Sequence, residues 1–279
     1  MPEINWLERR KAMTVVNGVE PKDRIIVALD VSDVDQAISL VKLLKGHVGM
    51  FKIGLEFIWS TMANLLLLPE KEDILLLKKI RYLAGLIGGL KAFIDGKLCD
   101  IPNTLMGASI AISQLGVKFF NVHASAGSEA IKQVVANKGN SLVLAVTALT
   151  SLSEQDTKMI HGLPPLPLAM RLARIAQDAG VDGIICSPQE IEAMRKDEQL
   201  RRLLLVTPGV RPEWAVIGDQ KRVMTPTEAI VAGADYLVTG RPITKPPVEI
   251  GGSVEAAKRI AEEIAEALHI KKRLGKDQT

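Results

Sequence analysis

Cysteine is almost missing from this chain. Only Cys99 and Cys186 occur in 279 residues, far apart and with no CxxC or Cys/His spacing, so neither a disulfide framework nor a zinc site is indicated. A reducing cytoplasm is the expected compartment. Aromatic residues make up only 4%, which withholds the stacking platforms used for single-stranded nucleic acid and leaves the core to Leu, Ile, Val and Ala. The formal charge of +3 is too small to attract a polyanion, and basic residues recur beside acidic ones. Long apolar runs are missing too. The most leucine-rich stretch, Leu65 to Leu77, is broken by Pro69, Glu70, Lys71, Glu72 and Asp73, which a membrane span of about 20 apolar residues would not tolerate. It reads as two helix segments and a turn. The first residues, with Glu3, Glu8, Arg9, Arg10 and Lys11, lack the apolar core of a signal peptide. Nucleic-acid and membrane partners are therefore not expected, and a small-molecule substrate is.

What the chain does have is alternation. Short apolar runs fall at Ile25–Leu29, Met50–Ile53, Ala92–Ile94, Val117–Val122, Leu142–Val146, Gly183–Cys186, Leu203–Val206 and Tyr236–Val238. Helical patterns separate nearly all of them, notably Asn103–Leu115, Leu166–Ala179, Thr227–Ala232 and Val254–Leu268, with Ser32 placed to cap a helix carrying Ala37, Ile38 and Val41. Strands alternating with helices imply right-handed βαβ units, and a count near eight at this length predicts an α/β fold, a single-domain (β/α)8 TIM barrel. The barrel is expected over residues 24–270, with an N-terminal extension over 1–23 and a frayed tail over 271–279.

The densest chemistry lies in Asp95–Thr104, DGKLCDIPNT, at the end of the apolar run Leu90, Ala92, Phe93, Ile94. Side chains alternate faces on a strand, so Asp95 and Lys97 point the same way and Gly96 faces oppositely. Asp100 follows where a helix opens at Ile101 and Pro102. Burying such a charge cluster is costly unless its members are paired, so function explains it better than a solvated turn does. In a (β/α)8 barrel the site collects at the C-terminal strand ends, here Asp30, Lys52, Asp95 with Lys97, His123, Thr147, Ser187, Thr207, and Gly240 with Arg241. The loops after strands seven and eight are the usual phosphate site. They carry Thr207–Pro212 (TPGVRP), Gly218–Val223 (GDQKRV) and Gly240–Pro242, in which Gly209 and Gly240 permit close backbone approach, Arg211 and Arg241 bring permanent charge, and Gln220 adds a neutral donor. A phosphorylated small substrate fits.

From Asp30 to Thr244 the chain resembles the orotidine 5′-phosphate decarboxylase family. The resemblance rests on Ala28-Leu29-Asp30, Phe51-Lys52-Ile53-Gly54, DGKLCDIPNT, Asn121-Val122-His123-Ala124, VTALTS, TPGVRP, GDQKRV with Thr225-Pro226, and GRPIT. DxKxxD alone is shared with a sugar-phosphate decarboxylase branch; the DIPNT extension with TPGVRP and GRPIT is more specific. The resemblance implies that Lys97 delivers a proton to C6 of the pyrimidine as carbon dioxide leaves. It implies that Asp95 holds Lys97, and that Lys52 and Asp100 complete a network of alternating charge. It further implies that Asp100, Ile101 and Thr104 reach the neighbouring subunit's site in a homodimer, that Asp30 and Lys52 touch ribose and Thr150 the pyrimidine, and that Arg211, Gln220, Gly240 and Arg241 grip the phosphate. Gly96 and Cys99 depart from the usual Leu and His, and the insertion from Asn64 to Gly89 exceeds the ordinary crossover.

No cofactor or metal is expected. Asp30, Asp95 and Asp100 could in principle attract a divalent cation, but Lys52 and Lys97 among them would repel it. His123 reads as an oriented structural histidine, and Cys99 as a buried small residue rather than a nucleophile. Two alternatives remain: a magnesium-dependent sugar-phosphate decarboxylase or aldolase, and a catalytically silent barrel that binds a nucleotide.

Overall fold

The computed structural model describes residues 18–215 and 224–276. Eight parallel strands close in sequence order into one barrel, β1 pairing with both β2 and β8. The elements run β1 (Ile25–Ala28), α1 (Val34–Leu44), β2 (Met50–Gly54), α2 (Leu55–Leu67), α3 (Glu70–Ile87), β3 (Ala92–Leu98), α4 (Pro102–Ser113), β4 (Phe119–His123), α5 (Ser128–Ala136) and β5 (Leu142–Val146). They continue with α6 (Glu154–His161), α7 (Pro165–Asp178), β6 (Gly183–Ile185), α8 (Ile191–Lys196), β7 (Leu204–Pro208), α9 (Pro226–Ala232), β8 (Tyr236–Thr239), α10 (Arg241–Thr244) and α11 (Ser253–Lys276).

The strands are short and mainly apolar, and most of their residues are buried on both faces, as parallel strands between a packed interior and a helical ring must be. One face packs inward through Ile26, Ala28, Met50, Phe93, Phe119, Leu144, Leu204, Val206, Tyr236 and Val238. The other packs outward on the helices through residues such as Ile25, Val27, Phe51, Phe120, Val143 and Leu237. The period of two sets which residues face the barrel mouth: Ile26 and Ala28 lead to Asp30, Met50 to Lys52, Phe93 to Asp95 and Lys97, and Tyr236 and Val238 to Gly240.

Three details differ from expectation. The few aromatics are not marginal to the core: all five phenylalanines are buried. Inside the barrel the rings of Phe93 and Phe119 meet edge to face at 6.1 Å, and Phe119 meets Tyr236 at 5.4 Å. A large ring fills the space between facing strands with a single side chain. The cap of α1 is Asp33, not Ser32, because its carboxylate reaches the N–H groups of both Asp35 and Gln36. The last helix continues through Lys276, past the point where a frayed tail was expected, carrying a buried stripe of Ala256, Ala257, Ile260, Ile264 and Ala267 against the barrel.

The leucine-rich insertion forms the two helices α2 and α3, broken at Leu68 and Pro69. Among the described residues no helix is long and apolar enough to cross a membrane.

Candidate active site

A cavity of about 570 Å³ opens at the C-terminal mouth of the barrel. Most of its charged lining falls into two groups. Asp30, Lys52, Asp95 and Lys97 come from β1 to β3, and Arg211, Arg241 and Lys245 come from the chain after β7 and β8.

The first group is a chain of alternating charge. Lys52 Nζ lies 3.2 Å from Asp30 Oδ1 and 2.9 Å from Asp95 Oδ2, while Lys97 Nζ lies 2.6 Å from Asp95 Oδ1. Burial alone would lift the Asp95 carboxyl's pKa, but the Lys52 and Lys97 ammoniums overcome it and bring it down to about 2. Burial likewise disfavours the Lys52 ammonium, yet the carboxylates of Asp95 and Asp30 outweigh it and the net shift is upward. Asp95 and Lys52 therefore both stay ionised at neutral pH. Gly54 makes room for this arrangement: a Cβ there would stand 2.8 Å from Lys52 Nζ and 3.3 Å from Asp30 Oδ1, where the ammonium is already pinned between two carboxylates.

Strand β3 does not stop at Asp95 but runs on to Leu98 through an irregularity. Ile94 pairs with Phe120 and the next pair is Leu98 with Val122, four steps along β3 against two along β4. Within this bulge Lys97 takes φ +47°, the one positive φ at a non-glycine among the described residues. That conformation costs on the order of 1 kcal/mol for a residue with a Cβ, and bulges beside active sites serve to re-aim a side chain. Gly96 does face away, since a Cβ on it would touch Ile94 and Leu98 at ordinary packing distance.

In the second group, Gly209 adopts φ +80° and turns the chain after β7, so that Arg211 comes back under the mouth. The Arg211 N–H donates to the Met224 carbonyl and its guanidinium to the Val210 carbonyl, both at 2.9 Å, fixing the turn from both sides. Burial and then the neighbouring Arg241 cation lower the Arg211 pKa. Two guanidiniums lining one cavity, near enough for one cation to lower the pKa of the other, are an anion site by their electrostatics.

Thr150 and Gly240 also line the cavity, as expected, and Gln220 lies outside the described residues. Asp100, Ile101 and Thr104 do not line it. They are exposed where α4 opens, Ile101 by 65%, and Asp100 accepts from the Ile101 N–H at 2.7 Å; Cys99 beside them is exposed too, not buried as expected, because β3 has ended at Leu98. Thr147 and Thr207 are strand-end residues on the wrong parity, and Ser187 shares the inward parity of Ile185, yet all three are buried outside the cavity, whose wall at those strands is made by Val146 and Ala148, Ile185 and Cys186, and Pro208. His123 is half-buried and also outside the lining, with its pKa lowered by burial and by the Lys97 charge. Glu56, Lys245 and Cys186 line the cavity without having been singled out. Burial, followed by the Glu190 carboxylate, pushes the Cys186 thiol pKa far up, so it is an inert wall.

Residues 23–260 match the family described as orotidine 5′-phosphate decarboxylase / HUMPS. The chain belongs to that family. An orotidine 5′-phosphate decarboxylase of Heliobacterium modesticaldum is 43% identical over 90% of this chain and 99% of its own length, and one from Gloeothece citriformis is 41% identical over 88% and 98%. Among solved structures, the orotidine 5′-phosphate decarboxylase of Lactobacillus acidophilus superposes with a TM-score of 0.67 at 30% identity, covering 86% of this chain and 98% of that one. In this member of the orotidine 5′-phosphate decarboxylase / HUMPS family, the charged chain and the arginine pair occupy one cavity, on strands that adjoin through the β8–β1 pairing.

Proposed function

We propose that this chain decarboxylates orotidine 5′-phosphate to uridine 5′-phosphate, the last step of de novo pyrimidine nucleotide synthesis, without a cofactor and with Lys97 as the proton donor. The observation that carries the reading is the Lys97 ammonium, held 2.6 Å from the Asp95 carboxylate in the same cavity as Arg211 and Arg241. As the bond between C6 and the carboxylate breaks, its electron pair stays on C6. The fixed ammonium stabilises that developing charge and then transfers its proton to carbon. Carbon dioxide leaves, and the neutral amine regains a proton from solvent. Asp95, kept ionised, holds Lys97 and stands beside the departing carboxylate. Lys52 and Asp30 face the ribose, Thr150 the pyrimidine, and Arg211, Arg241 and Gly240, with Gln220, the phosphate. Exposed Ile101, with Asp100 and Thr104, suits a homodimer in which these residues complete the partner's site. A cytoplasmic biosynthetic enzyme fits this reading.

Both oxygens of Asp95 already face ammonium groups, which argues against a divalent cation there. The test is to incubate the protein with orotidine 5′-phosphate in chelator and follow the loss of substrate ultraviolet absorbance. Full turnover is expected. Loss of activity that magnesium restores would favour the sugar-phosphate branch, and binding without turnover a silent barrel.

Arg241→Ala is expected to weaken uridine 5′-phosphate binding by roughly tenfold or more, the worth of a charge-assisted contact, and to leave uridine binding unchanged. Titration calorimetry with both ligands checks it, and equal losses for the two would make Arg241 structural.

A further inference from the structure

Asn121 sits on the inner face of β4 between Phe119 and His123, with no exposed surface. Its side-chain amide bridges the two residues at the centre of the site. Nδ2 donates to Asp95 Oδ1 at 2.6 Å, and Oδ1 accepts from the Lys97 backbone N–H at 2.7 Å. The partners dictate this orientation, because an ionised carboxylate only accepts and a backbone N–H only donates. The second bond falls inside the β3 bulge, where the ladder to β4 has lost its register and Lys97 is left-handed. The amide oxygen thus takes the place of a ladder carbonyl for a backbone group that would otherwise be buried and unpaired.

We infer that Asn121 is a positioning residue for the decarboxylation: one amide holds the bulge that aims Lys97 and orients the carboxylate that anchors its ammonium. The inference rests on the reading of Lys97 as proton donor. A neutral side chain with an acceptor at one corner and a donor at the other is what the two contacts require. Aspartate keeps the shape and the acceptor but sets a carboxylate against Asp95.

The charged groups facing position 121 are Asp95 and Lys97 on β3, Lys52 beyond them on β2, and His123 on β4 itself; β5 presents apolar Leu144 as the paired residue. Since Lys52 and Lys97 keep Asp95 ionised, the proton shared by such a carboxyl pair resides on the introduced group. Once protonated, that group donates to Asp95 as the amide did.

Asn121→Asp is therefore expected to lower kcat by about 10²-fold at neutral pH, the scale of a misplaced catalytic group. Relative to wild type, its kcat recovers as pH falls through the new carboxyl's pKa, and normalising to wild type removes the shared titration of His123. KM and product affinity stay within about twofold, since Asn121 does not line the cavity. Asn121→Ser, too short to span both partners, loses kcat by a similar factor with no recovery in acid. A relative pH profile for Asn121→Asp parallel to wild type, or wild-type kcat in folded Asn121→Ser, overturns the inference. So does a rise in KM at unchanged kcat. Uridine 5′-phosphate binding reports folding of each variant, and should Asn121→Asp not fold, Asn121→Ser decides alone. Failure of the underlying reading is distinguishable, because it appears as turnover by Lys97→Ala whatever the position 121 variants do.

Discussion

Replacing Lys97 with alanine leaves a folded barrel without turnover. The fold survives because the lysine side chain is one-third exposed and makes one ion pair, while its partner Asp95 keeps Lys52 at 2.9 Å and Asn121 at 2.6 Å. Alanine also tolerates the strand on either side, although the left-handed position is no better suited to it than to lysine. The chemistry has no substitute. One unit charge about 4 Å from a developing carbanion, at an effective dielectric near 20, is worth roughly 4 kcal/mol, or about three decades of rate, before loss of the proton itself is counted. Absorbance at saturating substrate measures the loss, and circular dichroism with product binding checks the fold. A folded variant that kept about a tenth of wild-type kcat, a loss of only about 1.4 kcal/mol, would remove Lys97 from the central role.

Activity restored by mixing two dead variants is the second large effect. Asp100 lies three residues beyond Lys97, yet its side chain is exposed outside the cavity, beside an isoleucine that is 65% exposed. If each site of a two-fold dimer joins Lys97 of one chain to Asp100 of the other, Lys97→Ala and Asp100→Ala homodimers are each nearly inactive. Exchange between them makes about half the dimers hybrids, and one of the two sites in a hybrid carries neither substitution, so about a quarter of wild-type activity returns. With Asp100 serving its own chain, every hybrid site carries one substitution and nothing returns. Mass measurement establishes that hybrids formed; no recovery in their presence rules out the shared site.

The strands were legible because a parallel barrel strand is buried on both faces and so reads as a short apolar run, closed by the first polar residue. Leu142–Val146 has the same bounds in sequence and structure, and the others shift by a few residues. Asp95, Lys97 and Lys52 were legible because charge at the end of such a run has no structural motive. Parity was harder. Thr147 and Thr207 stand at strand ends but one step out of phase, and an apolar run with no polar alternation does not say which face is inward. The left-handed Lys97 left no trace, since lysine has no preference for that conformation and a register shift belongs to two strands at once. Asn121 did leave one: a lone amide inside Phe119, Phe120, Asn121, Val122, two residues after a barrel-interior phenylalanine, is a polar group buried where it must have partners.

The closed barrel places the alternating charges on the first three strands and the arginine pair after the last two, and the two arcs meet where Gly240 lies beside Asp30. In the proposed reading, handle and reaction are carried by different stretches of chain, joined at a seam rather than interwoven. If the arginine pair grips phosphate as proposed, a descendant of this chain could trade the bond it breaks by rewriting residues between Asp30 and Asp100 while inheriting that grip untouched. A lineage built on such a barrel can diversify its chemistry without first relearning how to hold a substrate.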